Sequence, residues 1–77
     1  MLIFVKSIDG RTNSYEVERY TTVEKLKAKI QDKINLTPGE QRLIFGGKEL
    51  KEGNDMEFYN IGKENTIHLV LRMHGGD

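Results

Sequence analysis

Few residues of this sequence have the types and spacing that catalysis requires. The chain has 77 residues, with no cysteine and two histidines, His68 and His74. No acid, base and nucleophile stand at a spacing typical of a catalytic site, so we expect no enzyme activity. The lack of cysteine excludes disulfides and thiolate metal sites, and the residues give no reason to expect a metal or a cofactor.

The last residues, Gly75-Gly76-Asp77, are the other feature that could take part in chemistry. Glycine has no side chain and broad backbone freedom, so two glycines can lie extended where bulkier residues would clash. A terminal Gly-Gly is by itself a weak signal, because many flexible chain ends contain it. We expect a folded domain of residues 1–72 followed by a mobile tail of residues 73–77.

Composition and charge restrict the class of protein. The chain has 12 basic and 12 acidic residues, whereas a dedicated nucleic-acid binder normally carries a basic excess. Its apolar runs are too short for a membrane span, and its first residues lack the features of a signal peptide. We therefore expect one soluble intracellular domain, a monomer that binds neither nucleic acid nor membrane.

The first third of the sequence predicts an antiparallel hairpin. Leu2 to Ser7 is a β-branched and aromatic run in which Ile3 and Val5 share a face. Asp9-Gly10 is the strongest hairpin signal in the chain. Thr12 to Glu18 then alternates again. Its inward face is predicted to contain Asn13, Tyr15 and Val17.

One helix is predicted over residues 23–34. Thr22 has the properties of an N-cap, and Glu24 in the first turn is favoured by the helix dipole. Asn35 can adopt the left-handed conformation that ends a helix, and Pro38 prevents its resumption. The apolar stripe at helical spacing is formed by Val23, Leu26, Ile30 and Ile34.

The second half of the sequence predicts further strands. These are Gln41 to Phe45, a short edge strand from Lys48 to Leu50, and Thr66 to Arg72. Between them, Asp55 has the position of a cap for a single helical turn through Tyr59. The order of elements predicts an α+β roll in which one helix packs across a mixed sheet.

Alternation in these strands leaves apolar residues on the outward face. Ile44 and Val70 are predicted to point outward and to become neighbours if their strands pair, and Ile8 at the hairpin tip is also expected at the surface. Clustered exposed apolar residues with a polar rim more often mark a contact site than single ones do. The predicted rim is Arg42, Lys48, His68 and Arg72. The pattern alone is equally compatible with strand-edge packing.

The sequence resembles the ubiquitin family over its whole length, in register and without a gap. The matching stretches are Ile3-Phe4-Val5-Lys6, Lys27 to Lys33, Gln41 to Phe45, Gly47-Lys48, Tyr59-Asn60-Ile61, His68 to Arg72 and Gly75-Gly76. The resemblance implies the β-grasp fold and a small protein modifier with no catalysis of its own. It also implies that such a protein acts in the cytoplasm and nucleus.

The resemblance implies which surfaces partners recognise. Ile8, Ile44 and Val70, with His68, would form the main surface for ubiquitin-binding domains. The complete predicted set of partner-binding residues is Ile8, Arg42, Ile44, Gly47, Lys48, His68, Val70 and Leu71. Leu36 and Leu71 look like parts of the family's second apolar surface, and Phe4 looks like part of a third.

The resemblance also implies a conjugation mechanism whose chemistry belongs to the partner enzymes. An activating enzyme would adenylate the Gly76 carboxylate with ATP, with Gly75 and Gly76 in a narrow channel and Arg72 helping it tell this tail from those of relatives. Conjugating and ligating enzymes would then pass a thioester between cysteines and form an isopeptide on a target lysine. Because Asp77 follows Gly76, it must first be removed by a processing, deubiquitinating protease; otherwise it blocks the end.

Several amines match the family's sites of chain linkage. They are Lys6, Lys27, Lys29, Lys33, Lys48, Lys63 and the amino group of Met1. Lys27 lies beside the apolar stripe of the helix, so we expect it to pair with an acid such as Glu52 and to be poorly accessible. Arg11 replaces a family lysine, which makes linkage at that position impossible. Phe58 replaces an acid at a place expected to be exposed.

Two alternatives within the same fold remain open. The chain could be a ubiquitin-like binding module that is never conjugated, or an interfering mimic, and the charging of its tail would distinguish these from a modifier. A sulfur carrier with a terminal thiocarboxylate has little support, because the resemblance runs through the patch and the lysines, which such carriers do not need.

Overall fold

The computed structural model describes residues 1–71. The elements are β1 (Leu2–Ser7), β2 (Thr12–Glu16), α1 (Val23–Ile34), a short 3₁₀ turn (Pro38–Glu40), β3 (Gln41–Phe45), β4 (Lys48–Glu49) and β5 (Thr66–Leu71). The predicted boundary at residue 72 and the predicted tail of residues 73–77 lie outside the described residues. Within residues 1–71, no helix is long and apolar enough to cross a membrane.

The five strands form one mixed sheet in the order β2-β1-β5-β3-β4. β1 and β5 are parallel, and the other neighbouring pairs are antiparallel. The buried side of α1 joins the inward residues of the sheet in a single hydrophobic core. Its fully buried members include Ile3, Val23, Leu26, Ile30, Leu43, Met56 and Ile67. The predicted α+β, β-grasp roll is confirmed.

The helix begins and ends where the sequence predicted. The Thr22 hydroxyl accepts a hydrogen bond from Lys25 N at 3.3 Å, and Asn35 ends the helix in the left-handed region with φ 59°. Glu24 in the first turn has a partner that the sequence did not show, because its Oε1 accepts from Gly53 N at 2.8 Å. This backbone donor lowers the pKa of Glu24.

Three predicted elements differ from the structure. The edge strand predicted from Lys48 to Leu50 ends at Glu49. β2 ends at Glu16 instead of Glu18, because Glu18 and Thr21 form a hydrogen-bonded turn with Thr21 N 3.0 Å from Glu18 O. The Asp55 carboxylate does accept from Phe58 N at 2.9 Å, as a cap would. The segment that follows consists of hydrogen-bonded turns instead of a regular helix: Tyr59 N donates to Met56 O at 3.2 Å and Asn60 N to Glu57 O at 3.0 Å. Asn60, with φ 58°, then leaves the helical region.

Candidate functional site

The outer face of the sheet, opposite the helix, carries the predicted apolar surface. In the β3–β5 ladder Arg42 lies opposite Val70, and Ile44 lies opposite His68. In the β1–β5 ladder Lys6 also lies opposite His68. Because residues directly opposite one another in a sheet point to the same face, the strands bring these side chains together on the outer face.

The strands that carry Ile44 and Val70 do pair, and these two residues are neighbours on the outer face, although they are diagonal and not directly opposite one another. The register offsets them by two residues, so their Cα atoms are expected to lie about 7–8 Å apart instead of about 5 Å. Both side chains are half-buried, less exposed than the alternation alone indicated. Their direct partners, Arg42 and His68, are longer and flank them on the same face.

Ile8 is the most exposed large apolar residue of residues 1–71, with 76% of its surface exposed. It projects from the β1–β2 turn, in which Gly10 has φ 91° and Gly10 N donates to Ser7 O at 3.0 Å. The same side chain lines a shallow groove of about 310 Å³. The apolar walls of that groove are Ile8, Ile34, Leu36, Leu69 and Leu71. Ile8 therefore shares a groove with Leu36 and Leu71, the residues of the predicted second apolar surface.

Part of the positive charge of the predicted polar rim is paired with an acid that the sequence did not indicate. Arg42 Nε lies 3.5 Å from Glu49 Oε1, and Lys51 Nζ lies 3.6 Å from the same oxygen. Glu49 is directly opposite Ile44 on the neighbouring strand. His68 and Lys6, which lie opposite one another on this face, are exposed and take part in no ion pair within residues 1–71. Lys48 lies opposite Phe45 in the β3–β4 ladder and therefore points to the other face of the sheet, which corrects its predicted place in the rim. Gly47, with φ 80°, allows the tight turn into β4.

Three of the candidate acceptor amines, those of Lys27, Met1 and Lys33, are held by other groups of the protein. The Lys27 side chain is only 7% exposed, and its Nζ lies 3.6 Å from Glu52 Oε2, so the predicted pairing is confirmed. The amino group of Met1 lies 2.7 Å from Glu16 Oε2 and donates to Val17 O at 2.6 Å. These contacts reduce the availability of the Lys27 and Met1 amines as nucleophiles.

Lys33 is held by the hairpin. Its Nζ donates to Ser14 O at 2.9 Å and lies 4.9 Å from the centre of the Tyr15 ring. The ring is buried, its hydroxyl has no hydrogen-bond partner within residues 1–71, and burial raises the pKa of Tyr15. A cation over an aromatic face and a backbone hydrogen bond each favour this position by about 0.5–1 kcal/mol. Lys33 therefore joins α1 to β2.

The remaining candidate lysines are not held by other residues of the described range. They are Lys6, Lys29, Lys48 and Lys63, all exposed and without a hydrogen bond or ion pair to another residue of the described range 1–71. Arg72, Gly75, Gly76 and Asp77, the residues predicted to take part in conjugation and processing, lie outside the described residues. Within residues 1–71, no group of three or more His, Cys, Asp or Glu side chains is placed to hold a metal ion.

One exposed aromatic feature was not predicted as a site from the sequence. Phe58 is 67% exposed, and its ring contacts that of Tyr59 edge to face at 4.9 Å between centroids. The two rings line a second groove together with Phe45 and Lys48. The available signal was the pair of adjacent aromatic residues in a polar turn, but the contribution of Phe45 depends on the tertiary structure.

A five-stranded mixed sheet with one helix across its inner face is the architecture of β-grasp proteins. Residues 3–74 match the profile of the ubiquitin family, so the chain belongs to that family. The small ubiquitin-like proteins of this family are modifiers rather than enzymes.

Three relatives show the range of proteins in which this fold occurs. The chain is 33% identical over 76 residues to ubiquitin-like protein NEDD8 of Dictyostelium discoideum, covering 99% of each chain. It is 32% identical to ubiquitin-like protein 1 of Schizosaccharomyces pombe, covering 99% of this chain and 97% of that one. It is also 39% identical to the E3 ubiquitin-protein ligase UPL5 of Arabidopsis thaliana, where the match spans 92% of this chain but 8% of the relative.

Proposed function

We propose that this chain is a ubiquitin-type protein modifier, attached through the Gly76 carboxylate to lysines of target proteins. The observation that carries the proposal is the alignment of the chain with a small ubiquitin-like protein over 99% of both lengths, together with the Gly75-Gly76 pair in the sequence. The partners are activating, conjugating and ligating enzymes, deubiquitinating proteases and ubiquitin-binding domains.

In this proposal the chain supplies the carboxylate, which is itself the nucleophile of the adenylation step, the partner enzymes supply the thiolates, and the target supplies the final amine. A protease hydrolyses the Gly76–Asp77 bond, which leaves a carboxylate on Gly76 and an amine on Asp77. The carboxylate displaces pyrophosphate from ATP, and an enzyme thiolate then displaces AMP to form a thioester. A lysine amine of the target finally displaces the thiolate and forms the isopeptide bond.

The outer-face patch, which we define as Ile8, Ile44 and Val70, is the proposed surface for ubiquitin-binding domains. Its half-buried and exposed apolar side chains offer area that a partner can remove from water, and the exposed side chains of Lys6 and His68 border it. Lys48, on the neighbouring strand β4, is a further proposed contact. The remaining proposed contacts are Arg42, Gly47 and Leu71. The amines free for chain linkage are those of Lys6, Lys29, Lys48 and Lys63.

A charging assay tests conjugation directly. The form ending at Gly76, incubated with activating enzyme, ATP and magnesium, is expected to give a gel-shifted thioester that reducing agent removes. The form that retains Asp77 is the matched control and is expected to give none, because its Gly76 has no carboxylate. Failure of the form ending at Gly76 to charge would contradict the proposal.

The outer-face patch is tested by Ile44→Ala. We expect the Kd for a purified ubiquitin-binding domain to rise about 5- to 30-fold, because truncating a central apolar contact typically costs about 1–2 kcal/mol. Tyr20→Ala is the control, since Tyr20 is 59% exposed but lies between β2 and α1, outside the strands that carry the patch. Titration calorimetry measures both variants. Equal affinities of Ile44→Ala and the unsubstituted protein would exclude Ile44 from the interface.

A second candidate function is a binding module or interfering mimic that is never conjugated. The relative in which the match spans only 8% of a long ligase supports it, because there the fold is one part of a larger protein. In a module of this kind, Ile44→Ala would still raise the Kd for a ubiquitin-binding domain, but the form ending at Gly76 would not be charged.

A further inference from the structure

A groove of about 340 Å³ lies between the β3–β4 turn and the turn that contains Phe58. We call it the aromatic groove. Its lining residues are Phe45, Gly46, Lys48, Phe58, Tyr59 and Asn60. Phe45 follows Ile44 on β3 and therefore points to the opposite face of the strand, and Lys48, which lies opposite Phe45 on β4, points to the same face as Phe45. The two surfaces are distinct.

The aromatic walls are held in place before any partner binds. The Tyr59 hydroxyl accepts hydrogen bonds from Lys51 N at 2.7 Å and Asn54 Nδ2 at 3.1 Å. Phe58 is 67% exposed, yet its backbone N–H is fixed by the Asp55 carboxylate at 2.9 Å. A large apolar ring displayed by a hydrogen-bonded turn can be buried by a partner with little loss of backbone entropy.

The charge of the aromatic groove is one-sided. Lys48 is its single charged lining residue, and no carboxylate lines it. The neighbouring acid, Glu57, is engaged by Arg19, whose Nε lies 3.4 Å from Glu57 Oε1. Within residues 1–71, no acid forms an ion pair with Lys48. The complementary occupant therefore combines an apolar side chain with a carboxylate.

We propose that the aromatic groove is a docking site for a short acidic peptide segment of a partner protein, with a leucine or phenylalanine next to aspartate or glutamate. The apolar side chain packs against Phe45 and Phe58, and the acid meets the Lys48 ammonium at the edge. This inference does not depend on conjugation, because either a modifier or a module that is never conjugated can use the groove.

The probe is the peptide acetyl-Glu-Glu-Leu-Phe-Glu-amide, titrated into isotope-labelled protein and followed by amide chemical shifts. We expect saturable shifts centred on Gly46, Lys48, Tyr59 and Asn60. Phe58→Ala is expected to weaken binding about 5- to 10-fold, because the peptide then buries much less apolar area. Tyr20→Ala is the matched control, since Tyr20 is 59% exposed but does not line the aromatic groove. The affinity of this variant for the peptide should stay within about twofold of that of the unsubstituted protein.

The charge requirement is tested with the peptide acetyl-Lys-Lys-Leu-Phe-Lys-amide and the variant Lys48→Glu. The unsubstituted protein should prefer the acidic peptide, and Lys48→Glu should reverse that preference. Ile44→Ala should leave the shifts in place, whether or not it affects the outer-face patch. Shifts centred on Ile44 and Val70, equal binding by Phe58→Ala, or equal binding of the two peptides would each overturn the proposal.

Discussion

Replacing Leu43 by alanine is expected to lower the free energy of unfolding by about 2–5 kcal/mol. Leu43 is fully buried on β3, directly opposite Leu69 of β5. The substitution removes apolar contacts and leaves a cavity that a closely packed core refills only in part. A domain of this size has a total stability on the order of 4–12 kcal/mol, so the loss is a large fraction of it.

Urea denaturation followed by circular dichroism measures this effect. Leu71→Ala is the matched control, because Leu71 lies on the paired strand and is 49% exposed. Its loss should be below about 1 kcal/mol. Similar losses in the two variants would show that the burial of Leu43 is not the source of the effect.

Replacing Gln41 by leucine is expected to cost about 1–3 kcal/mol of stability although it keeps the size of the side chain. Gln41 is 0% exposed, and its Nε2 donates to Lys27 O and Leu36 O, each at 2.9 Å. The amide thus connects β3 to the helix and to the segment after it. Leucine removes both donors and leaves the two carbonyl oxygens with fewer partners away from water.

Gln31→Leu provides the comparison for this variant. Gln31 is on α1 and half-buried, and its side chain forms no hydrogen bond with another residue of the described range 1–71. We expect its free energy of unfolding to change by less than about 0.5 kcal/mol. The Oε1 atom of Gln41 has no partner within residues 1–71, which offsets part of the loss in Gln41→Leu. A Gln41→Leu protein as stable as the unsubstituted one would contradict the bridging role.

β3 links stability to the proposed interface. Its inward residues, Gln41 and Leu43, alternate with Arg42 and Ile44 on the outer face. A core substitution on this strand therefore lowers binding by unfolding the domain, whereas Ile44→Ala should lower binding in a protein that stays folded. Measuring the stability of Ile44→Ala beside its affinity separates the two causes.

The elements themselves could be predicted because their signals are local. Thr22 and Asn35 delimit the helix through bonds to residues three or four positions away. Asp9-Gly10 specifies the hairpin turn, and the two-residue period of β5 selects its inward face. Such signals require only neighbouring residues, so the fold class, the bounds of the helix and the burial of Lys27 followed from the sequence.

Relations between distant segments were decided only by the tertiary structure. The diagonal placement of Ile44 and Val70 depends on the β3–β5 register, which is set by packing of the whole sheet against the helix. The contact of Lys33 with Tyr15 joins residues 18 positions apart in the sequence, and the aromatic groove joins Phe45 to Phe58. The sequence by itself determined which side chains point outward. Only the packed structure decided which of them meet, because a one-residue change of register would bring different partners together.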